Sequence, residues 1–325
     1  MAFRWGILGL GNIARSFATG LKSVAGAELV AVGSRSQEKA EKFGDEHGAA
    51  RRYGSYQDLA NDPDIDAIYV ATPHSLHFED ALLSLNAGKA TLVEKPFTLN
   101  EEQSSALVQT SREQNVFLME AMWTRFTPIM GKLRELVKDG AIGELRLVEA
   151  DFGFRAGLNP EGRLFNPELG GGALLDVGVY TISLASMLLG APTAVTGLAH
   201  LGETGVDEQS AMLLSYAKGE LAVLSTAIRT NTVHEANIYG TEGRIRVDSP
   251  WWIPKSMTLH RNGKDAEVID LGYEGNGYNY QAVEVEKCVR EGRIESEIMP
   301  HHETLSIMKT TDTLRAQWGL KYPQE

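Results

Sequence analysis

The segment Gly9-Leu10-Gly11-Asn12-Ile13-Ala14 decides the fold expected for the first part of this chain. It matches the pattern GxGxxG/A, follows the apolar run Phe3–Leu8 and opens an amphipathic stretch. In a strand–turn–helix context, Gly9 permits the tight turn and Gly11 lets the backbone approach a pyrophosphate, while Ala14 keeps the helix close to the sheet. The N–H groups at the helix start then stabilise phosphate charge. The alternative is a purely structural turn; the pattern favours a dinucleotide site at Gly9, Gly11, Asn12 and Ile13.

Short apolar runs alternate with amphipathic stretches through the first 120 residues. Further strands are expected near residues 28–33, 67–71, 90–93 and 116–120. Ser36, Ser55 and Asn100 are expected to cap helices between them, because their side chains accept hydrogen bonds from helix N–H groups. Apolar strands that alternate with helices are typical of a parallel sheet covered on both faces. We therefore predict an α/β domain over residues 1–122.

The pattern changes after about residue 122. A loop rich in Gly, Pro and Asn at 155–169 precedes a strongly apolar helix expected at 172–189. Several short strands follow between residues 195 and 269 with no helix between them, which is typical of an antiparallel sheet. Two helices, near 278–291 and 300–314, are expected to close the chain. We predict a second, α+β domain over residues 123–325.

Composition narrows the class of protein. The 325 residues include 31 Lys and Arg against 43 Asp and Glu, a formal net charge of −12. This balance argues against a nucleic-acid partner, because such a surface needs cations to displace phosphate counterions. The lone cysteine, Cys288, excludes an intrachain disulfide and favours a reducing compartment. With no signal peptide and no apolar run of membrane-spanning length expected, we predict a cytoplasmic protein without a membrane partner.

The residues after the second strand indicate which dinucleotide binds. Sites that prefer NAD place an Asp or Glu about 20 residues beyond the glycine motif, where it binds the ribose hydroxyls. Here that position is Ser34, followed by Arg35 and Ser36, with no carboxylate. A guanidinium and two hydroxyls suit a 2′-phosphate, so Ser34 and Arg35 predict NADP. The alternative is that Arg35 is a solvated surface residue.

Two further motifs carry residues suited to chemistry. Glu94-Lys95-Pro96 follows the strand at 90–93, at the sheet edge where ligands bind in open parallel sheets. Asp176 and Tyr180 are four residues apart on the apolar helix and share a face. A carboxylate and a phenol among apolar residues need partners if buried. The alternative for this pair is a structural hydrogen bond inside the core.

These residues carry a resemblance to a known family. AGKATLVEKPF at 87–97 and GGGALLDVGVYTI at 170–182 resemble the Gfo/Idh/MocA oxidoreductases over essentially the whole chain. MEAMWTRFTP at 119–128, together with Tyr180 where many members have His, is most similar to the dihydrodiol dehydrogenase and NADP-linked xylose dehydrogenase branch, and disfavours an inositol dehydrogenase. The resemblance implies an N-terminal Rossmann domain and a C-terminal domain on a large, open, mostly antiparallel sheet. That sheet often serves dimerisation, so the resemblance implies a homodimer or higher homo-oligomer.

The resemblance also implies roles at the site. It places Lys95, Asp176 and Tyr180 around the nicotinamide and substrate, with Lys95-Pro96 commonly a cis peptide. Tyr180 is expected to exchange the proton of the substrate hydroxyl while the Lys95 ammonium stabilises its phenolate. Asp176 is expected to hold a substrate hydroxyl or to orient Lys95.

Other positions complete the predicted site. Thr72-Pro73-His74 and His77 follow the strand at 67–71. By resemblance Thr72, Pro73, His77 and Glu94 contact the cofactor; helix capping and packing is the alternative for this loop. The HxxH spacing lacks an accompanying Cys or carboxylate cluster, so no metal is predicted. Trp123, Arg125 and Phe154 are assigned to the substrate pocket, with interdomain packing as the alternative for the aromatic residues of 119–128. Trp251-Trp252 indicate an exposed loop or an interface.

The predicted function is NADP-dependent hydride transfer to or from a sugar, polyol or trans-dihydrodiol. One alternative is a non-catalytic regulator that senses NADP(H) through the same fold, since fold alone does not decide function. The joint presence of Lys95, Asp176 and Tyr180 favours an enzyme. Another alternative keeps the chemistry and reduces a dicarbonyl sugar.

Overall fold

The computed structural model describes residues 2–325 and begins with a parallel sheet. Its six strands are β1 Phe3–Leu8, β2 Ala27–Gly33, β3 Arg51–Tyr53, β4 Ala67–Val70, β5 Ala90–Glu94 and β6 Leu118–Ala121. Their order is β3-β2-β1-β4-β5-β6, and each neighbouring pair is parallel. The strand order reverses between β1 and β4, which is where doubly wound sheets bind dinucleotides. The predicted α/β class is confirmed.

Helices connect these strands: α1 Asn12–Leu21, α2 Gln37–His47, α3 Tyr56–Ala60, α4 His77–Asn86 and α5 Glu101–Gln114. The predicted caps are confirmed, since Ser36, Ser55 and Asn100 each accept a hydrogen bond from the backbone N–H three residues on. Strand β4 is buried along its whole length, as the continuous apolar run predicts.

A second sheet has eight strands in the order β14-β13-β12-β11-β7-β10-β9-β8. They are β7 Leu145–Gly153, β8 Ala194–Leu201, β9 Asp207–Ser215, β10 Leu221–Ala227, β11 Ala236–Gly240, β12 Gly243–Val247, β13 Ser256–Arg261 and β14 Glu267–Asp270. Neighbours are antiparallel except β7 and β10, which run parallel. The predicted mostly antiparallel sheet is confirmed.

The remaining helices are α6 Pro128–Lys138, α7 Val179–Leu189, α8 Asn279–Arg290 and α9 His301–Trp318. Helix α7 packs on β7 and β10 and buries that face of the sheet. On the opposite face the side chain of Leu198 is 82% exposed, and Leu213, Leu221 and Val223 are exposed too. Burial therefore alternates along β8, β9 and β10 with a period of two.

The apolar stretch expected as one helix at 172–189 differs from that prediction. It begins with a π-helical turn, Leu174–Gly178, and becomes α-helical only from Val179. A short 3₁₀ turn, Pro167–Leu169, precedes it. π-Turns are uncommon and occur often at functional sites, and this one contains Asp176.

The chain forms two compact units. One comprises residues up to Trp123 together with Glu274–Leu305, and the other comprises Thr124–Tyr273 together with Ser306–Glu325. The first ends one residue from the boundary predicted at 122, but it also includes the later segment that contains α8. Domains at 1–122 and 123–325 stay a prediction.

One stretch, Pro167–Leu189, is long and apolar enough to cross a membrane by length and composition. This differs from the expectation that no such run exists. Within the described residues, 83% of the most apolar 18-residue segment of this stretch is buried. Such burial is typical of a core helix in a folded domain.

Candidate active site

The glycine motif forms an open turn at the end of β1. Gly9 has φ +88°, and a Cβ there would lie 2.8 Å from the Thr72 methyl carbon, so only glycine fits. Gly11 caps α1 in an extended conformation without a side-chain cap, and a Cβ on it would meet nothing within 4 Å. The first turn of α1 contains no acidic residue. The first N–H groups of α1, from Asn12 and Ile13, have no acceptor within the helix, so a phosphate bound beside Gly11 would be stabilised by them.

The residues that follow β2 place hydrogen-bond donors at the same edge of the sheet as the glycine motif after β1. Ser34 Oγ accepts the Ser36 N–H at 3.2 Å, and Ser36 Oγ accepts the Lys39 N–H at 3.4 Å. Since both oxygens accept, each hydroxyl hydrogen is left to donate. Arg35 is exposed. This set of donors fits a 2′-phosphate.

The Glu94-Lys95-Pro96 triplet ends β5 in a tight turn. The Lys95-Pro96 peptide is cis, as the resemblance implies. The buried Glu94 carboxylate accepts hydrogen bonds from the Tyr69 hydroxyl and, at 3.2 Å, from the Lys95 N–H. Glu94 thus fixes the backbone of the residue that carries the ammonium.

His77 joins this turn to the loop after β4. Its Nδ1 lies 2.7 Å from the Pro96 carbonyl oxygen, and its Nε2 lies 2.9 Å from the Thr72 carbonyl oxygen. Burial lowers the pKa of His77 to about 4, although both carbonyls oppose that shift. Both ring nitrogens are engaged by backbone, so the packing alternative describes its contacts. Cofactor binding by Thr72, Pro73, His77 and Glu94 stays a prediction.

In the other unit, the π-turn presents a carboxylate. Asp176 is 3% exposed, and one of its oxygens accepts a hydrogen bond from Arg163 at 2.7 Å. The Arg163 side chain is itself 56% exposed, so the pair lies at the edge of the core. No spacing pattern points to Arg163, because this residue lies in the irregular loop at 155–169.

Tyr180 lies in the first turn of α7 and is 7% exposed. Its ring is 5.4 Å from the ring of Phe152, measured between centroids. Phe152 also contacts the rings of Phe154, His234 and Trp252. Tyr180 therefore borders an aromatic cluster, defined here as Phe152, Phe154, His234 and Trp252.

Trp251 and Trp252 lie in a loop, but the expectation that this loop is exposed is wrong for Trp251; the interface stays a prediction. The Trp251 side chain is buried, and its Nε1–H donates to the Asp151 carbonyl oxygen at 2.7 Å. The Asp151 carboxylate accepts the backbone N–H of His234 at 2.8 Å. Asp151 therefore fixes two segments that bring aromatic rings to β7, which short-range sequence patterns do not reveal.

Two residues assigned to the substrate pocket have contacts elsewhere. Arg125 is 2% exposed and donates to the Ser183 hydroxyl and carbonyl oxygens, each at 2.7 Å, which fixes α7. Trp123 is stacked on Tyr278 with 4.6 Å between centroids. These contacts suit packing, while substrate binding by Arg125, Trp123 and Phe154 stays a prediction.

Comparison with known proteins decides the family. Residues 3–122 match the model described as an oxidoreductase family with an NAD-binding Rossmann fold, and residues 130–246 match the GFO/IDH/MocA C-terminal domain. The chain belongs to the Gfo/Idh/MocA oxidoreductases. The predicted family, its Rossmann sheet and its enzyme class are thereby confirmed.

Relatives with named activities match nearly the whole chain. A trans-1,2-dihydrobenzene-1,2-diol dehydrogenase of Xenopus tropicalis is 38% identical over 99% of this chain and 100% of its own. A D-xylose 1-dehydrogenase (NADP(+)) of Hypocrea jecorina is 35% identical over 99% of this chain and 93% of its own. Among solved structures, the 3-ketoreductase KijD10 of Actinomadura kijaniata, in complex with NADP and TDP-benzene, has a TM-score of 0.87 at 26% identity and covers 97% of this chain and 98% of its own.

Proposed function

We propose that this Gfo/Idh/MocA oxidoreductase uses NADP to interconvert a carbinol and a carbonyl on a sugar, polyol or trans-dihydrodiol. NADP as the cofactor is supported by the relative named for NADP(+), by the neighbour crystallised with NADP and by the donors at Ser34 and Arg35. The observation that carries the substrate class is the nearly buried Tyr180 beside an aromatic cluster and one turn from Asp176.

NADP supplies the hydride acceptor at its nicotinamide ring, and NADPH supplies the donor. The Tyr180 hydroxyl oxygen takes the carbinol proton during oxidation and returns a proton to the carbonyl oxygen during reduction. A free phenol has a pKa of about 10 and is a poor base at neutral pH, whereas a nearby ammonium stabilises the phenolate. We assign that ammonium to Lys95, whose backbone is fixed by Glu94.

Substrate recognition is assigned to the second unit. The partly exposed rings of Phe154 and Trp252 suit the apolar face of a sugar or dihydrodiol ring, and the buried Phe152 supports Trp252 from behind. Carboxylates accept hydrogen bonds from hydroxyl groups, so we assign Asp176, whose carboxylate is bonded by Arg163, to a substrate hydroxyl.

The decisive experiment is a turnover panel of sugars, polyols, trans-dihydrodiols and dicarbonyl sugars with NADP(H) and NAD(H). We expect turnover of a carbinol substrate with NADP, and Tyr180→Phe should lower kcat at least about 100-fold while NADPH binding stays within about twofold. Tyr239→Phe is the matched control, because the Tyr239 hydroxyl bonds Glu149, which lies on the face of β7 opposite Phe152, the residue that contacts Tyr180.

Other outcomes distinguish the alternatives. Tight NADP binding without turnover of any compound would replace this proposal with the NADP(H)-sensing regulator. Turnover confined to dicarbonyl sugars would favour the reductase. A Tyr180→Phe enzyme with wild-type kcat would require a different acid.

We also propose that the exposed face of β8, β9 and β10 forms a homodimer or higher homo-oligomer. Thr196, Leu213 and Val223 are directly paired across these strands, so they share that face with the exposed Leu198 and Leu221. Contiguous exposed apolar surface of this kind is typical of an interface. Light scattering should give a multiple of the chain mass for the wild type and a smaller particle for Leu213→Asp; a wild-type monomer would refute this.

We propose that the protein acts in the cytoplasm. The described structure holds its one cysteine as a buried free thiol, which suits a reducing compartment. Cell fractionation tests this, and recovery outside the cytoplasmic fraction would contradict it.

A further inference from the structure

A buried cluster encloses the glycine turn, defined here as residues 170–172, which precedes Asp176. Gly170 and Gly172 have φ of +71° and +120°. The Asp176 N–H donates to the Gly172 carbonyl oxygen at 3.2 Å, so the turn contacts the carboxylate-bearing residue directly through the backbone. Whatever holds the glycine turn therefore sets where the π-turn begins.

Asp207, the first residue of β9, holds the turn from one side. It is fully buried, and its Oδ2 accepts the Leu174 N–H at 2.7 Å. A Cβ on Gly172 would lie 2.2 Å from Asp207 Oδ1, so the carboxylate occupies the space that any larger residue would need. Asp207 thus supplies, from a distant strand, the acceptor that a capping side chain supplies at an ordinary helix start.

Tyr322 holds the turn from another side. Its hydroxyl donates to the Gly171 carbonyl oxygen at 2.7 Å, and its side chain is buried. Its backbone N–H donates to Glu325 Oε2 at 3.0 Å. Hydroxyl and backbone together fix the phenol ring against the glycine turn.

Arg315 secures this segment. The guanidinium donates to both Glu325 carboxylate oxygens, at 2.7 and 2.8 Å, and to Asp312 at 2.7 Å. It also lies 5.1 Å from the centroid of the Tyr322 ring. Charge-assisted bonds from a buried guanidinium are strong and directional, so the 322–325 segment is held rigidly against α9.

We propose that Asp207 and Tyr322 are positioning residues that fix the glycine turn and thereby aim Asp176 and Tyr180. They act through the Leu174 N–H and the Gly171 carbonyl oxygen, and Asp207 also fills the space beside Gly172. Small misplacements of reacting groups cost much of the rate, so the effect should fall on kcat. The activity consequence depends on the function proposed above, whereas the structural part does not.

Backbone exchange and kinetics of three variants test this. Tyr322→Phe deletes the bond to Gly171, Asp207→Ala deletes the acceptor for Leu174, and Asp207→Asn retains an acceptor oxygen. We expect faster amide hydrogen exchange in peptides covering residues 171–178 for Tyr322→Phe and Asp207→Ala. Their kcat should fall about tenfold, with KM and NADPH affinity within about threefold. Asp207→Asn should stay within about threefold of wild type in kcat, and Tyr239→Phe should match wild type throughout.

Results that would overturn this proposal can be told apart from results that would overturn the proposed function. Wild-type exchange at 171–178 in both Tyr322→Phe and Asp207→Ala would overturn the proposal. Equal acceleration at β11 would also overturn it, because that pattern marks general loosening of the unit. If Asp207→Ala is recovered unfolded, Tyr322→Phe decides alone. If the wild type turns over nothing, the proposed function fails, and the exchange result still decides whether these residues fix the turn.

Discussion

The indole of Trp252 lies flat on the phenyl ring of Phe152, with 3.5 Å between centroids and 9° between planes. Phe152 in turn contacts Tyr180, so a residue after β12 reaches the proposed acid through one intervening ring. His234 closes the cluster at 4.6 Å from Trp252. The stack gives Tyr180 a rigid apolar border.

Trp252 should determine how well a ring-shaped substrate binds. Trp252→Leu removes the stacked surface, and we expect kcat/KM to fall about tenfold, equivalent to about 1.4 kcal/mol, mainly through KM. Trp252→Phe should restore most of the loss because it retains a stacking face. Steady-state kinetics on the preferred substrate measures both. Equal kinetics for Trp252→Leu and wild type would place the substrate elsewhere.

Arg35 should select the phosphorylated dinucleotide. Arg35→Ala should weaken NADP binding about 10- to 100-fold, because a charge-assisted bond to phosphate is lost, and leave NAD affinity nearly unchanged. Titration of both nucleotides by fluorescence measures this. Lys42→Ala is the matched control, since Lys42 is an exposed cation on the following helix. A parallel loss for NADP and NAD would show that Arg35 does not contact the 2′-phosphate.

Gly11 should matter much more for binding than for folding. A methyl group at Gly11 meets no protein atom within 4 Å, so Gly11→Ala should lower the free energy of unfolding by no more than about 1 kcal/mol, the usual cost of alanine at a helix N-cap. It should nevertheless weaken NADP binding tenfold or more, because the methyl group occupies the space facing the phosphate. Gly157→Ala, also in open space, is the control. Unchanged affinity in Gly11→Ala would contradict the phosphate assignment.

His77 should make stability fall in acid. Its pKa is about 4 in the folded protein against 6.5 as the ordinary value, so between these values the unfolded chain binds the extra proton. The contribution of neutral His77 to the free energy of unfolding is fully present above pH 6.5. It is lost as the pH falls toward 4, and the total loss is about 3 kcal/mol. His77→Gln should remove this part of the pH dependence, which denaturant unfolding between pH 4.5 and 7.5 measures.

The control for that comparison is His200→Gln, which replaces an exposed histidine on β8. It should retain the wild-type slope. If His77→Gln retains the slope as well, the imidazole is protonated in the folded protein, held by the Thr72 and Pro96 carbonyls.

Local chemistry explains what the sequence could predict. The Gly9–Gly11 turn and the caps at Ser36, Ser55 and Asn100 follow from conformations and donors within a few residues, and all are found. The family followed from motifs of similar length. These features depend on neighbours in the chain, and neighbours are visible in a sequence.

The missed features depend on contacts between distant segments. Trp252 meets Phe152 across 100 residues, and Arg163 meets Asp176 from an irregular loop. The π-turn at Leu174–Gly178 begins where Asp207 bonds Leu174, which helical periodicity cannot reveal. These contacts are determined by burial and by long-range hydrogen bonds, and no spacing pattern in the sequence predicts them.

The place of β7 in the second sheet bears on how that sheet assembles. The strands β8 to β10 form one sequence-local meander and β11 to β14 form another, while β7 lies between them and precedes both in the chain. Each meander can pair by short-range loop closure, whereas the β7–β10 pairing joins Leu147 to Leu221 and is slow to form. We therefore expect β7 to unite two preformed halves late in folding, so that damage to this strand separates the halves and leaves each one internally paired.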